Sequence, residues 1–294
     1  MIVTLKNHTM TARIDSIGAQ LISLKSKSGT EYIWQRDPAH WKSSSPLLFP
    51  TVGNCRDGKY TLNGQIYSIP KHGFCRNADF AVSVLSEQEA SFILTDSPET
   101  RAHYPFAFHL KLTYALTEDG IRIHYTVTNP GTGPMYYQLG AHPGFNCPLH
   151  SGERFEDYVL EFEQEGTAGY HSYDLNRMEF NINSYTPILD HAAVIPLTHE
   201  LFANDAIFFT DLRSKKVALK NQATGYGVEV SYPDFATVAF WTAAATKAPF
   251  LCVEPWNGSA IRSDEDDNFL NRHFLQKVES GESKEYQIWI KKIS

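Results

Sequence analysis

The sequence predicts an all-β fold: a single domain over residues 1–294, built as a large sandwich of two curved antiparallel sheets with few short helices. Three observations carry this. Period-two alternation of apolar and polar residues dominates the chain, hairpin signals recur, and helix signals are few and short.

In chain order, KYTLNGQIYSI (59–69) is a hairpin signal, because Asn63-Gly64 suits the positive φ values of a tight primed turn. SVLSEQEASFIL and LTEDGIRI read as further hairpins. In FHLKLTYAL the positions Phe108, Leu110, Leu112, Tyr114 and Leu116 share one face, and in IRIHYTVTN so do Ile121, Ile123, Tyr125 and Val127. DYVLEFE, GVEVSY and EYQIWI repeat the pattern. Two stretches read as helical: PLTHELF (196–202) as a turn or two, and SDEDDNFLNRHF (263–274), with its capping serine and acidic first turn, as a short helix. Pro- and Gly-rich segments are spread evenly, so no linker divides the chain.

The net charge of -7 argues against a nucleic-acid partner, which needs a basic face. It leaves room for a small anionic ligand, for which two or three local cations suffice. Cys55, Cys75, Cys147 and Cys252 form no C-x-x-C pair and no zinc-like cluster with histidine, so they read as buried, inert thiols and no metal is expected. With no apolar leader and no membrane-length run, the expected location is the cytoplasm, away from membranes.

Four segments mix ionisable groups with Gly, Pro or aromatics: KHGFCRN (71–77), GAHPGFN (140–146), FANDAIFF (202–209) and CVEPWNG (252–258). Each has a bland reading. Lys71 and Arg76 make a solvated basic turn, His142 a satisfied loop residue, Asp205 a turn at a strand entry, and Glu254 a loop carboxylate in a salt bridge. Taken together, a carboxylate, two histidines and an arginine suit proton transfer on a polar substrate. Trp34, Trp41, Trp241 and Trp256 suit stacking on the apolar face of a sugar ring. The residues by themselves point to an acid/base site on a β-sandwich.

PLLFPTVG followed by YTLNGQIYSIPKHGFCR, then HPGFN and CVEPW in that order, resembles the aldose 1-epimerase (galactose mutarotase-like) superfamily over nearly the whole chain. Within it the sequence is most like the LacX-type and hexose-6-phosphate epimerase branches. The resemblance implies a two-sheet β-sandwich with an open sugar groove. It implies an isomerase that interconverts the α and β anomers of a monosaccharide or sugar phosphate, with neither cofactor nor metal. It assigns Glu254 as general base, His142 as general acid, and His72 as a hydrogen-bond partner of the ring oxygen. Asp205, Arg76 and Trp256 bind substrate, and Arg56 stands in for an absent family arginine.

Two departures bear on the substrate. Asn54 stands where many relatives carry an arginine, with Arg56 two residues on, and Lys42 is the nearest cation to the PLLFP run where the phosphohexose branch has arginine. Two alternatives stand beside the epimerase: a non-catalytic sugar-binding or sensing protein on the same fold, and a glycoside hydrolase using Glu254 and Asp205.

Overall fold

The computed structural model describes residues 1–294. Its main sheet has 15 strands, and a three-stranded antiparallel sheet formed by Ile2–Lys6, Met10–Asp15 and Gln20–Ser26 accompanies it. The main path starts with Ala81–Val84, Glu89–Thr95, His109–Leu116, Gly120–Thr128 and Ser283–Ile293. It continues through Gly227–Ser231, Lys216–Asn221, Tyr158–Asp174, Ile207–Phe209, Thr237–Trp241 and Phe250–Asn257, and ends at Leu139–Ala141 and Leu47–Leu48. One core of 62 buried residues draws on both ends of this path, Phe92 and Leu112 from one and Phe240 and Val253 from the other, so the sheet curls round a shared interior. The expected large antiparallel β architecture is therefore observed. No helix is long and apolar enough to cross a membrane.

The alternation behaves as the pattern requires. His109–Leu116 alternates half-buried and buried positions, and it pairs with Gly120–Thr128 so that Ile121 faces Leu116 and Ile123 faces Tyr114. Asn63 and Gly64, with φ of 51° and 79°, turn Lys59–Leu62 onto Gln65–Ser68. Each large side chain that such alternation buries contributes about 1.5–3 kcal/mol. All four cysteines are buried and unpaired.

The helix expected over 263–274 does not form; that stretch contains only a 3₁₀ turn at Phe269–Asn271. Its acidic residues, which suggested a helical first turn, spend their carboxylates elsewhere. Asp264 pairs with Arg262, Glu265 turns inward to Arg272, and Asp266 accepts from the amides of Asn268 and Asn271. PLTHELF yields one 3₁₀ turn, His199–Phe202, capped by Thr198. The one α-helix, Pro98–His103, begins in a Ser97–Thr100 capping box with proline at its start.

One element exceeds the expectation from DYVLEFE. Tyr158–Asp174 and Glu179–Pro196 form a long antiparallel hairpin with four register shifts. Such bulges bend the ladder, and the hairpin's far end brings Tyr173 and Phe180 to the wall of the cavity described next.

Candidate active site

Phe250–Asn257 is buried along its whole length. Strand alternation puts Cys252, Glu254 and Trp256 on one face and Val253 on the other. Val253 joins the main core, while Trp256 and Cys252 belong to two small separate clusters. Opposite this strand run two short segments, with Gly140 facing Trp256 and Gly144 facing Cys252. Both pairs lie on one antiparallel register, which places residue 142 opposite residue 254. The ladder opens there because Pro143 and Pro255 cannot donate; Val253 N–H reaches the Pro143 carbonyl at 3.1 Å. His142 Nε2 and Glu254 Oε2 are 3.1 Å apart, with both side chains buried. The glycines permit this closeness: a Cβ on Gly140 would fall 2.6 Å from the Trp256 ring.

KHGFCRN folds as a turn with left-handed backbone at His72 and Gly73, φ of 67° and 73°. A Cβ on Gly73 would lie 2.1 Å from the Phe49 carbonyl oxygen, so only glycine fits. His72 is seated by a reciprocal pair: its backbone N–H donates to Gly53 O at 2.6 Å, and Gly53 N–H donates to its Nδ1 at 3.0 Å. Because Nδ1 accepts, the ring proton of neutral His72 is on Nε2. Its ring meets that of His142 edge-on, with centroids 5.7 Å apart.

These groups line a cavity of about 290 Å³ together with Arg76, Asp205, Trp256, Trp41, Trp241, Lys71, Tyr173 and Phe180. His142 stacks on Trp41 at 5.0 Å and meets the edge of Trp241 at 5.7 Å. Asp205, like His72, has a left-handed backbone, φ 77°; two such side-chain-bearing residues in one wall are the kind of stored strain found at functional sites. Arg56 does not line this cavity. It sits in an adjoining depression, held by Glu179 at 3.2 Å, Asp267 at 3.3 Å and the carbonyls of Arg262 and Glu265. Asn54 donates to Met178 O and accepts from Tyr173 Oη, so Asn54 and Arg56 both brace the hairpin tip. Trp41 and Trp241 had a visible signal in their aromatic character. Tyr173, Phe180 and the Gly53 amide had none, because a long bulged hairpin and a backbone donor leave no local pattern.

Burial pushes the Glu254 carboxyl well above its usual 4.5; Asp205 adds to this, while Lys71 and Arg76 oppose it. Burial likewise pushes His142 down to about 3, aided by Arg76 and Lys71. His72 is lowered well below 6.5 by burial, then by His142, Lys71 and Arg76. Glu254 and His142 are thus both driven toward neutral forms, and one proton serves their contact. Arg76 donates to Ser43 Oγ at 3.3 Å and has no carboxylate within ion-pair distance; nor has Lys71, which lies 5.9 Å over the Tyr173 ring.

The sequence model of the aldose 1-epimerase family matches residues 1–266. The chain belongs to the aldose 1-epimerase family. Among its relatives in this family, the chromosomal protein LacX of Lactococcus lactis subsp. lactis is 33% identical over 284 residues, 95% of either chain. A galactose mutarotase related enzyme from Lactobacillus acidophilus superposes with a TM-score of 0.94 at 30% identity, covering 100% of this chain and 98% of that one. A galactose mutarotase-like protein from Lactobacillus casei gives 0.92 at 29%, covering 100% of each chain. This family membership supports the isomerase class and a sugar as the substrate.

Proposed function

We propose that the protein interconverts the α and β anomers of a hexose or hexose phosphate by acid/base ring opening and closure. The observation that carries this is the buried His142–Glu254 pair, 3.1 Å apart at the wall of a sugar-sized cavity. Ring opening needs one proton removed from O1 and another delivered to O5. The proton the two share serves both ends: as it passes from Glu254 to His142, the freed carboxylate takes the O1 proton, the C1–O1 bond becomes a carbonyl, C1–O5 breaks, and O5 takes the proton of His142. Rotation about C1–C2 followed by the reverse steps gives the other anomer. No electrons are exchanged with a cofactor, and the pair is restored at closure.

His72 presents Nε2–H to the ring oxygen, Asp205 accepts from sugar hydroxyls, and Trp256 supplies a flat wall. Positioning and proton transfer together suit this chemistry. Arg76 and Lys71, two cations without a carboxylate partner on one wall, favour a hexose that carries an anionic group.

The test is a polarimetric panel. Wild-type protein should accelerate the rotation change of freshly dissolved α-glucose, α-galactose or α-glucose 6-phosphate. Sugar binding without acceleration of any of them would select the non-catalytic sugar-binding reading instead.

A further inference from the structure

Outside the cavity lies a buried ionic cluster that the reaction does not use. The Arg272 and Glu265 side chains are each 1% exposed, with Arg272 Nε 3.4 Å from Glu265 Oε2. Glu265 is held in turn by the amides of Arg262 at 3.0 Å and His273 at 2.6 Å. The two terminal nitrogens of Arg272 donate to two irregular loops: Nη1 to Cys55 Sγ at 3.1 Å, and Nη2 to Ser259 O at 2.8 Å and Val52 O at 3.5 Å. Residues Gly53 and Ala260, next in sequence to those two carbonyls, both line the cavity. Their backbones are pressed so close that a Cβ on Gly53 would lie 2.2 Å from Ala260 Cα.

The Val52–Gly53 peptide joins the two observations. Its carbonyl accepts from Arg272, and its N–H is the one that donates to His72 Nδ1 at 3.0 Å. Gly53 has φ of 68° and no side chain, so its own backbone preference does not fix the orientation of this peptide, and its neighbours have to. We propose that Arg272 is a positioning residue for His72: its guanidinium locks the Val52–Gly53 peptide so that the Gly53 N–H faces Nδ1 and the His72 proton is kept on Nε2, toward the sugar. Gln138, buried and accepting from Val52 N–H at 3.1 Å, braces the other side of Val52 but touches neither atom of that peptide's donor–acceptor axis. A guanidinium is suited to the task because one planar fork serves two carbonyls and a sulfur at once; an ammonium reaches fewer of them.

The role of His72 rests on the epimerase reading, but the clip itself is testable without turnover. Imidazole ¹⁵N spectra of labelled wild-type protein should show His72 as the Nε2–H tautomer; an Nδ1–H tautomer would overturn the proposal outright, whatever the variants do. Arg272→Met combined with Glu265→Gln leaves no lone buried charge. In this variant the His72 signal should become a tautomer mixture, and kcat for anomer exchange should fall roughly 10- to 100-fold with KM within about twofold. Arg272→Lys should lie between. If the folded variant loses only thermal stability while the tautomer and kcat hold, Arg272 is merely structural and the proposal fails. A shift of tautomer in a protein that accelerates no sugar would support the clip and refute the epimerase reading. Should neither variant fold, the wild-type spectrum decides alone.

Discussion

Glu254 and His142 illustrate what a residue-level reading gains from a register. As letters in CVEPW and GAHPGF they are two ionisable groups in turn-like contexts; paired strands make them cross-strand neighbours 3.1 Å apart. His72, Asp205, Arg76 and Trp256 were legible for the same reason, being polar or aromatic groups set among Gly and Pro, and all line the one cavity. Arg56 was legible as a cation but not as a strut, because its partners Glu179 and Asp267 are remote in sequence. Glu254→Gln and His142→Asn should each lower kcat at least about 100-fold, the scale of general acid–base catalysis, with unchanged circular dichroism. The pH profile follows from the directions of the shifts. The acid limb, where the pair gains a second proton, should lie well below 6.5, and the alkaline limb, where it loses its proton, above 4.5; an acid limb at the ordinary histidine value would show that His142 is not the buried acid. Arg76→Ala should cut kcat/KM for glucose 6-phosphate at least about tenfold more than for glucose, a difference on the scale of one charged hydrogen bond.

At the scale of elements, alternation and turn chemistry were readable wherever pairing is local. The Asn63-Gly64 hairpin and the Leu116–Gly120 turn are of this kind. The 263–274 segment was misread because a capping serine and acidic residues are a local signal, whereas its conformation is set by the remote demand for a buried carboxylate beside Arg272. The hairpin tip was unreadable because its four register shifts erase the period of two. It also carries a prediction. Arg56→Met should release the tip through Glu179, raising KM severalfold as Tyr173 and Phe180 lose their seats, and should speed proteolysis at 175–178 with kcat little changed; an equal loss of kcat would assign Arg56 to the chemistry itself.

Across the whole molecule, the three buried groups of the site set a pH dependence of stability. The unfolded chain protonates His72 and His142 at about 6.5, whereas the folded chain does so only at lower pH; the stability they lend is therefore present above 6.5 and lost as pH falls toward their folded values. Glu254, raised when folded, runs the other way: its contribution is present below 4.5 and lost as pH rises. As pH falls through the window below 6.5, the unfolded chain takes up protons on two histidines that the folded chain resists, against the single opposing contribution of Glu254, so stability falls. Urea midpoints should fall over this window, and His72→Asn should flatten the slope; an unchanged slope would place His72 in contact with water. The central claim is that Glu254 and His142 pass protons to and from a bound sugar. Its most direct test is anomer exchange measured by NMR on wild type and Glu254→Gln at equal, independently measured sugar occupancy. The account predicts exchange well above the buffer rate in wild type and near the buffer rate in the variant; equal exchange in the two proteins would contradict it.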